Sequence, residues 1–261
     1  MAVEFKSAPT MFGAFHIGWL IGIAVASVLF FFLFRKLSEK ALIRVIFGIG
    51  IFMVLAEIWK QCFSYVYVYG QQINMWYFPW QLCDIAMYLG VLLPFLKGKA
   101  RDTDLVFLGT FSLFAAIMAL AVPGDMLRIQ ILLATHGFLY HGLMILQSMA
   151  AILILGKRRA GTPKGFGNAL RAFTPSVVLF LVTAVIAEII NIASHLALHD
   201  RKREPNMFNI TPYYESTQPV FHEIALAIGI IPEIILYLFL IILVAFGIFV
   251  LERAGMRRKK D

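Results

Sequence analysis

Charge is scarce in this chain. Asp, Glu, Lys and Arg make up 15% of its 261 residues, against about 25% in an ordinary soluble domain. No charged stretch between apolar runs is long enough to build a soluble domain. Cysteine is nearly absent: Cys62 and Cys83 are the two present, too few for a disulfide scaffold. Internal repeats and low-complexity tracts are missing, and the apolar runs lack the strict alternation of barrel strands. What the chain has instead is 61% apolar or aromatic residues, 24 of them Phe, and a mean hydropathy of +0.82. Such a chain cannot stay solvated as a disordered polymer.

A bilayer core of ~30 Å takes about 20 apolar helical residues, and windows of that length occur at 11–34, 45–63, 75–96, 105–122, 129–155, 174–198 and 224–251. The first is too long for the core of a cleavable signal peptide. Within lipid the backbone must satisfy its own hydrogen bonds, which leaves helices. The expected fold is therefore all-α: a polytopic membrane protein with a seven-transmembrane-helix bundle, spanning 1–261 as a single transmembrane domain.

Net charge is +8, and its distribution points to topology rather than to nucleic acid, so no nucleic-acid partner is expected. Seven spans separate the termini, and 17 of the 23 Lys and Arg residues fall on the C-terminal side, with 6 opposite. The positive-inside tendency puts the N-terminus outside and the C-terminus in the cytoplasm of a cell membrane. The basic tail Arg257 to Lys260 reads as a topology anchor. The longest connection, Asp200 to Glu223, lies on the outer side, and Pro205, Pro212 and Pro219 bar it from being one helix.

An ionisable group inside a span costs ~2.5–3.5 kcal/mol on insertion scales unless it has a partner or water. On this topology such groups collect in the outer half: His16, Glu57, Lys60, Gln81, Cys83, Asp84, His136, His141, Glu188, Asn191, His195, His222 and Glu233. The inner half offers little beyond Ser112, Ser148 and Thr183. Residues three, four, seven and eleven apart share a helical face. By that rule Glu188, Asn191, His195 and His199 form one stripe, Gln81, Asp84 and Tyr88 a second, and His222, Glu233 and Tyr237 a third. Glu57 and Lys60, one turn apart, can neutralise each other. One stripe alone would read as structural glue between helices; several at one depth imply a polar chamber.

Three chemistries fit that chamber. Cys83, beside Asp84, could act as a nucleophile if a base or positive field activates it. His136 and His141 lie about 140° apart around their helix, so only one can face Cys83, and depth favours His136. Alternatively Cys83 is packed and inert, or disulfide-bonded to Cys62. His195 and His199 have the i, i+4 spacing of metal ligands, with Glu188, His222 or Asp84 as a third; a metal-dependent membrane hydrolase is thus a second reading, although a His pair with no fixed third ligand does not define a metal site. Transport is disfavoured because the inner half carries no polar path.

The run Phe78-Pro79-Trp80-Gln81-Leu82-Cys83-Asp84 resembles the YwaF-type family of integral membrane proteins, which includes an animal transmembrane acyltransferase of phospholipid remodelling. The family's run is Leu-Pro-Leu-His-Leu-Cys, with Gln81 here in place of its His. Gly109-Thr110, Ala119-Leu120, Pro123, His141-Gly142-Leu143, Asn191, Asn206-Met207-Phe208 and Pro232 continue the likeness. The resemblance implies acyl transfer between phospholipids by a Cys and a His, on the matching positions Cys83 and His141. With it, the expected activity is a Cys/His-dependent lipid acyltransferase or hydrolase. Cys83, His141 and His136 are the candidate catalytic residues. Gln81, Asp84, Glu57, Lys60, Glu188, Asn191, His195, His222 and Glu233 line the binding wall. Membrane phospholipids are the expected partners, and no cofactor is called for. The rival from another class is a non-enzymatic receptor or carrier binding a polar or lipid ligand.

Overall fold

The structure is a computed structural model that describes residues 3–72, 74–158, 165–198, 200 and 203–255. The basic tail after Gly255, Arg159, Lys164, His199, Arg201 and Lys202 lie outside the described residues. The helices are α1 (Ala14–Phe34), α2 (Glu39–Phe63), α3 (Leu82–Leu92), α4 (Gly98–Phe107), α5 (Leu113–Ala121), α6 (Ile131–Arg158), α7 (Phe166–Leu198), α8 (Phe221–Ile228) and α9 (Ile230–Gly255). Among the described residues there is no strand, only one isolated bridge, Glu4 to Gln130.

Among the described residues, six helices are long and apolar enough to cross a membrane: Ala14–Phe34, Glu39–Val68, Gly98–Ala121, Ile131–Arg158, Phe166–Leu198 and Ile230–Ala254. The expected span at 75–96 is shorter than the sequence suggests. Its first part is a 3-10 turn, Met75–Tyr77, followed by a bend at Pro79, where Trp80 N donates to the Phe78 carbonyl at 2.8 Å; helix begins at Leu82 and closes in a second 3-10 turn, Leu93–Phe95, at Pro94. Proline supplies no N–H and resists continuation of a helix, so the apolar run is broken at both ends. Gln81 caps the start, where the Asp84 carboxylate accepts its backbone N–H at 2.8 Å.

The expected span 224–251 is likewise divided. Gly229 adopts φ 93° between α8 and α9, a left-handed conformation that suits glycine. The expected 105–122 span begins earlier, at Gly98, and passes through a π segment, Leu108–Ser112, between α4 and α5. Pro175 is accommodated inside α7.

The two ends of the bundle are distinguished by the Glu204–Val220 connection at one, hereafter the loop end, and by Glu39, Asp102, Lys157 and Arg158 at the other. There Arg158 binds both Asp102 and Glu39, and Lys157 donates to the Leu37 carbonyl. Gly50 of α2 and Gly90 of α3 bring the two backbones together: a Cβ on Gly50 would lie 3.0 Å from the carbonyl carbon of Gly90. With that register α3 starts level with Ile58, while α2 and its π extension Ser64–Val68 continue roughly 15 Å further toward the loop end. The 74–81 segment therefore descends into the bundle, held where the Gln61 amide donates to the Tyr77 carbonyl. The main core, around Phe107, Phe111, Phe173, Phe180 and Phe249, fills the space below this descent.

Candidate functional site

The descent of the chain to Leu82 exposes the first turn of α3, with Cys83 and Asp84, to residues of α2 and α6. Glu57 Oε1 pairs with Lys60 Nζ at 2.7 Å and accepts from Gln61 Nε2 at 2.7 Å. Asp84 accepts from Gln81 N with one oxygen and from the Tyr140 hydroxyl with the other, at 3.4 Å. Glu57 and Asp84 are both nearly inaccessible, 3% and 6% exposed, and near enough to interact electrostatically. Two buried carboxylates thus share the field of one ammonium. That ammonium also lies within electrostatic range of Cys83, His136 and His141. Of these groups Glu57 is the one in direct contact with Lys60, at 2.7 Å.

Both cysteines are free thiols: Cys62 is exposed and Cys83 half-buried, so the disulfide alternative is not realised. Among the described residues no hydrogen bond joins Cys83 to either imidazole. His141 Nδ1 lies 2.7 Å from the Gly137 carbonyl. A carbonyl can only accept, so Nδ1 carries the proton and Nε2 of the neutral ring is left as a base. His136 stacks between Trp59 and Tyr140, with ring centroids 6.0 and 5.6 Å away, and its Nε2 is buried with no partner. A cavity of about 290 Å³ adjoins this cluster on the loop side, lined by Gln61, Cys62, Ser64, Tyr65, Tyr69, Gln72, Asn74 and Tyr77.

A second polar cluster involves α7 and the long connection. The Asn191 side chain holds Met207 on both sides: Oδ1 accepts from Met207 N at 2.7 Å, and Nδ2 donates to Met207 O and to Glu188 Oε2, each at 3.2 Å. Gln81 does the same one residue to either side, accepting from Phe208 N at 2.8 Å and donating to Asn206 O at 3.0 Å. His195 pairs with Glu204 at 2.9 Å and stacks on Tyr213 with centroids 3.6 Å apart. Its expected partner for a metal, His199, lies outside the described residues. Among the described residues no group of three His, Cys, Asp or Glu side chains is placed to hold a metal ion.

Of the expected site residues, the structure therefore gathers Cys83, Asp84, Glu57, Lys60, His136 and His141 into one cluster. Gln81 links it to a second containing Glu188, Asn191 and His195. Two stand apart. His222 is exposed on α8, against the Ser216 carbonyl at 3.1 Å. Glu233 is buried in the first turn of α9, with its Oε1 unpartnered. His16 is also separate: its Nδ1 accepts from Phe12 N at 3.0 Å, so Nε2–H donates to the Leu120 carbonyl at 2.9 Å, tying α1 to the end of α5.

Several participants are not evident in the sequence stripes. Tyr140 and Gln61 lie four residues after His136 and Glu57, so helical spacing could have found them. Glu204, Asn206, Asn209 and Tyr213 lie in a connection with no periodicity. Asp104, 1% exposed with both carboxyl oxygens unpartnered, puts an acidic group in the basic half where little polarity was expected.

A family model matches residues 11–252, and it is that of the TMEM164 family. The match supports a transmembrane family under that name and does not extend to the YwaF-type designation. No curated protein and no solved structure matches the chain.

Proposed function

Because the chain belongs to the TMEM164 family, an integral membrane family, we propose that it is a Cys/His-dependent acyltransferase of membrane phospholipids, with Cys83 as nucleophile. The observation that carries this reading is the hydrogen bond from the Tyr140 hydroxyl to Asp84, which sets the turn bearing Cys83 against the stretch of α6 bearing His136 and His141. The motif resemblance around Cys83 and His141 adds to it. His141 is the proposed base, since its Nδ1 is occupied by the Gly137 carbonyl; His136 is the second choice.

In a low-dielectric interior a bare thiolate is costly, so proton transfer accompanies attack. His141 Nε2 takes the Cys83 proton as sulfur bonds to the ester carbonyl carbon of a donor phospholipid, and the carbonyl π pair moves onto oxygen. Collapse of the tetrahedral adduct breaks the ester C–O bond. The departing alkoxide receives the proton from the imidazolium, leaving a Cys83 thioester and a lysophospholipid. In the second half an acceptor lysophospholipid hydroxyl gives its proton to His141 and attacks the thioester; the thiolate departs and is reprotonated. The Lys60 ammonium offsets negative charge in both halves.

The same reading assigns the loop end to the outside of the cell membrane, following the distribution of Lys and Arg. Donor and acceptor lipids then enter from the outer leaflet. The test is acyl exchange in membranes supplied with labelled lysophospholipid. Cys83→Ala and His141→Ala are expected to lose it, while Cys62→Ala keeps it. Retention of full exchange by both Cys83→Ala and His141→Ala overturns the cysteine mechanism. Loss in His136→Ala with retention in His141→Ala transfers the base to His136.

A further inference from the structure

α1 and α6 touch where Ile23 packs on Gly142: a Cβ at Gly142 would lie 3.1 Å from Ile23 Cγ1. Toward the end marked by Glu39 and Arg158 the two helices part around an open cavity of about 280 Å³, walled by Ser27, Val28, Phe31 and Phe32 of α1 and Met149 of α6. The wall is apolar throughout, since the one hydroxyl on it, that of Ser27, donates to the Ile23 carbonyl at 2.8 Å. Pockets that enclose a whole small-molecule ligand measure ~300–1,000 Å³, so this one suits a hydrocarbon chain rather than a head group.

The rim of the cavity is cationic. Arg35 closes α1, and its guanidinium carbon lies 5.8 Å from the Phe31 ring centroid and 5.1 Å from that of Phe32, two of the rings that form the wall. Among the described residues no carboxylate pairs with it. Glu39, the acidic residue nearest in sequence, is engaged by Arg158 and Arg101. Lys36 is exposed beside Arg35, and Lys157 of α6 reaches the Leu37 carbonyl of the same turn. From Ser27 to Arg35 the helix rises about 12 Å, so a chain lying against Val28 and Phe31 brings its ester end to the level of Arg35.

We propose that this cavity seats one acyl chain of an anionic phospholipid whose phosphate lies on Arg35, with Lys36 and Lys157 adding to the attraction. Apolar contact alone does not select a lipid, because neighbouring tails are as apolar as the helix surface. Selection comes from the head group: each Lys or Arg near a bilayer surface favours an anionic lipid about fivefold. The site lies at the opposite end of the bundle from Cys83 and takes no part in acyl transfer, so the two readings stand or fall separately.

The test places the full chain in phosphatidylcholine bilayers with a trace of a phospholipid carrying a diazirine on its acyl chain. The probe is either phosphatidylglycerol or phosphatidylcholine, and photoadducts are mapped by peptide mass spectrometry. At equal mole fraction, phosphatidylglycerol adducts on Phe31, Phe32 and Met149 are expected to exceed phosphatidylcholine adducts at least about fivefold. Leu243 of α9, 51% exposed, reports the ratio at the general lipid-facing surface, expected near unity. Arg35→Gln is expected to lower the ratio in the cavity about fivefold, and Arg35→Lys to retain it. Lys99→Gln, which removes an exposed cation at the same end, is expected to leave it unchanged. Three results overturn the proposal: equal cavity adducts from the two probes, a ratio at Leu243 as high as in the cavity, or a ratio unmoved by Arg35→Gln. Labelling of Leu243 with no adduct on Phe31, Phe32 or Met149 overturns it as well, because a second copy of the chain then covers this face.

Discussion

Removing the Lys60 charge tests the polar cluster most severely. In Lys60→Met the methylene stem is largely retained, but Glu57 and Asp84 remain as two buried carboxylates without their shared cation. Glu57 loses a partner at 2.7 Å, and its second oxygen already has none. Leaving an uncompensated charge in a buried pair costs about 3–5 kcal/mol. At roughly 2–4 °C per kcal/mol for a chain of this size, apparent thermal unfolding in mild detergent should fall by roughly 6–20 °C. The double variant Glu57→Gln/Lys60→Met removes the orphaned charge and keeps an amide to meet Gln61, while Asp84 retains its bonds from Gln81 N and Tyr140. It should recover at least half of the loss, a coupling that surface ion pairs, at about 0–1 kcal/mol, do not produce. Equal unfolding temperatures for the single and double variants would refute the view that Lys60 balances these carboxylates.

Gly50→Ala should destabilise the bundle by about 1–3 kcal/mol, the usual cost of overpacking, because its Cβ would meet the Gly90 backbone at 3.0 Å. Gly48→Ala, with nothing within 4 Å of its Cβ, should be neutral; thermal unfolding of the pair reads the difference. His16→Leu leaves Phe12 N and the Leu120 carbonyl without their partners, and each lost buried partner costs about 1–3 kcal/mol. The expected consequence is a lowered unfolding temperature with acyl exchange per folded molecule unchanged.

How the bundle is built was legible to differing degrees along the chain. Long apolar runs such as Ala14–Phe34 and Ile131–Arg158 announce themselves, since burying no charge over 20 residues has few outcomes other than a span. The stretch from Met75 to Leu96 has similar hydropathy, yet it is not a full-length helix. Its break depends on Pro79, on the Asn74 side chain accepting from Trp76 N, and on the distant Gln61 amide. Only the proline is visible as a local signal.

The site divides in the same way. Helical spacing brings Glu57 to Lys60 and Asp84 to Gln81, because those pairs are local. Cross-helix partners are not encoded in spacing: Gln81 meets Asn206 across 125 residues and Tyr140 meets Asp84 across 56. Asn191 was readable as a polar residue on a greasy helix. That its amide would be spent on the Met207 backbone was not, since the connection carries no periodicity from which to infer its path. Asp104 escaped notice for a simpler reason: it sits at the margin of an apolar window, and only the earlier start of α4 draws it into the bundle.

The most direct measurement of the central claim is a search for the covalent intermediate. The protein in bilayers is given a phospholipid with an isotopically labelled acyl chain and no acceptor, then quenched in acid and digested for mass spectrometry. The account predicts one labelled acyl group on the peptide carrying Cys83, removed by neutral hydroxylamine as a thioester and transferred when lysophospholipid is added. Acyl exchange that continues in Cys83→Ala, with no acyl group ever found on Cys83, would contradict it.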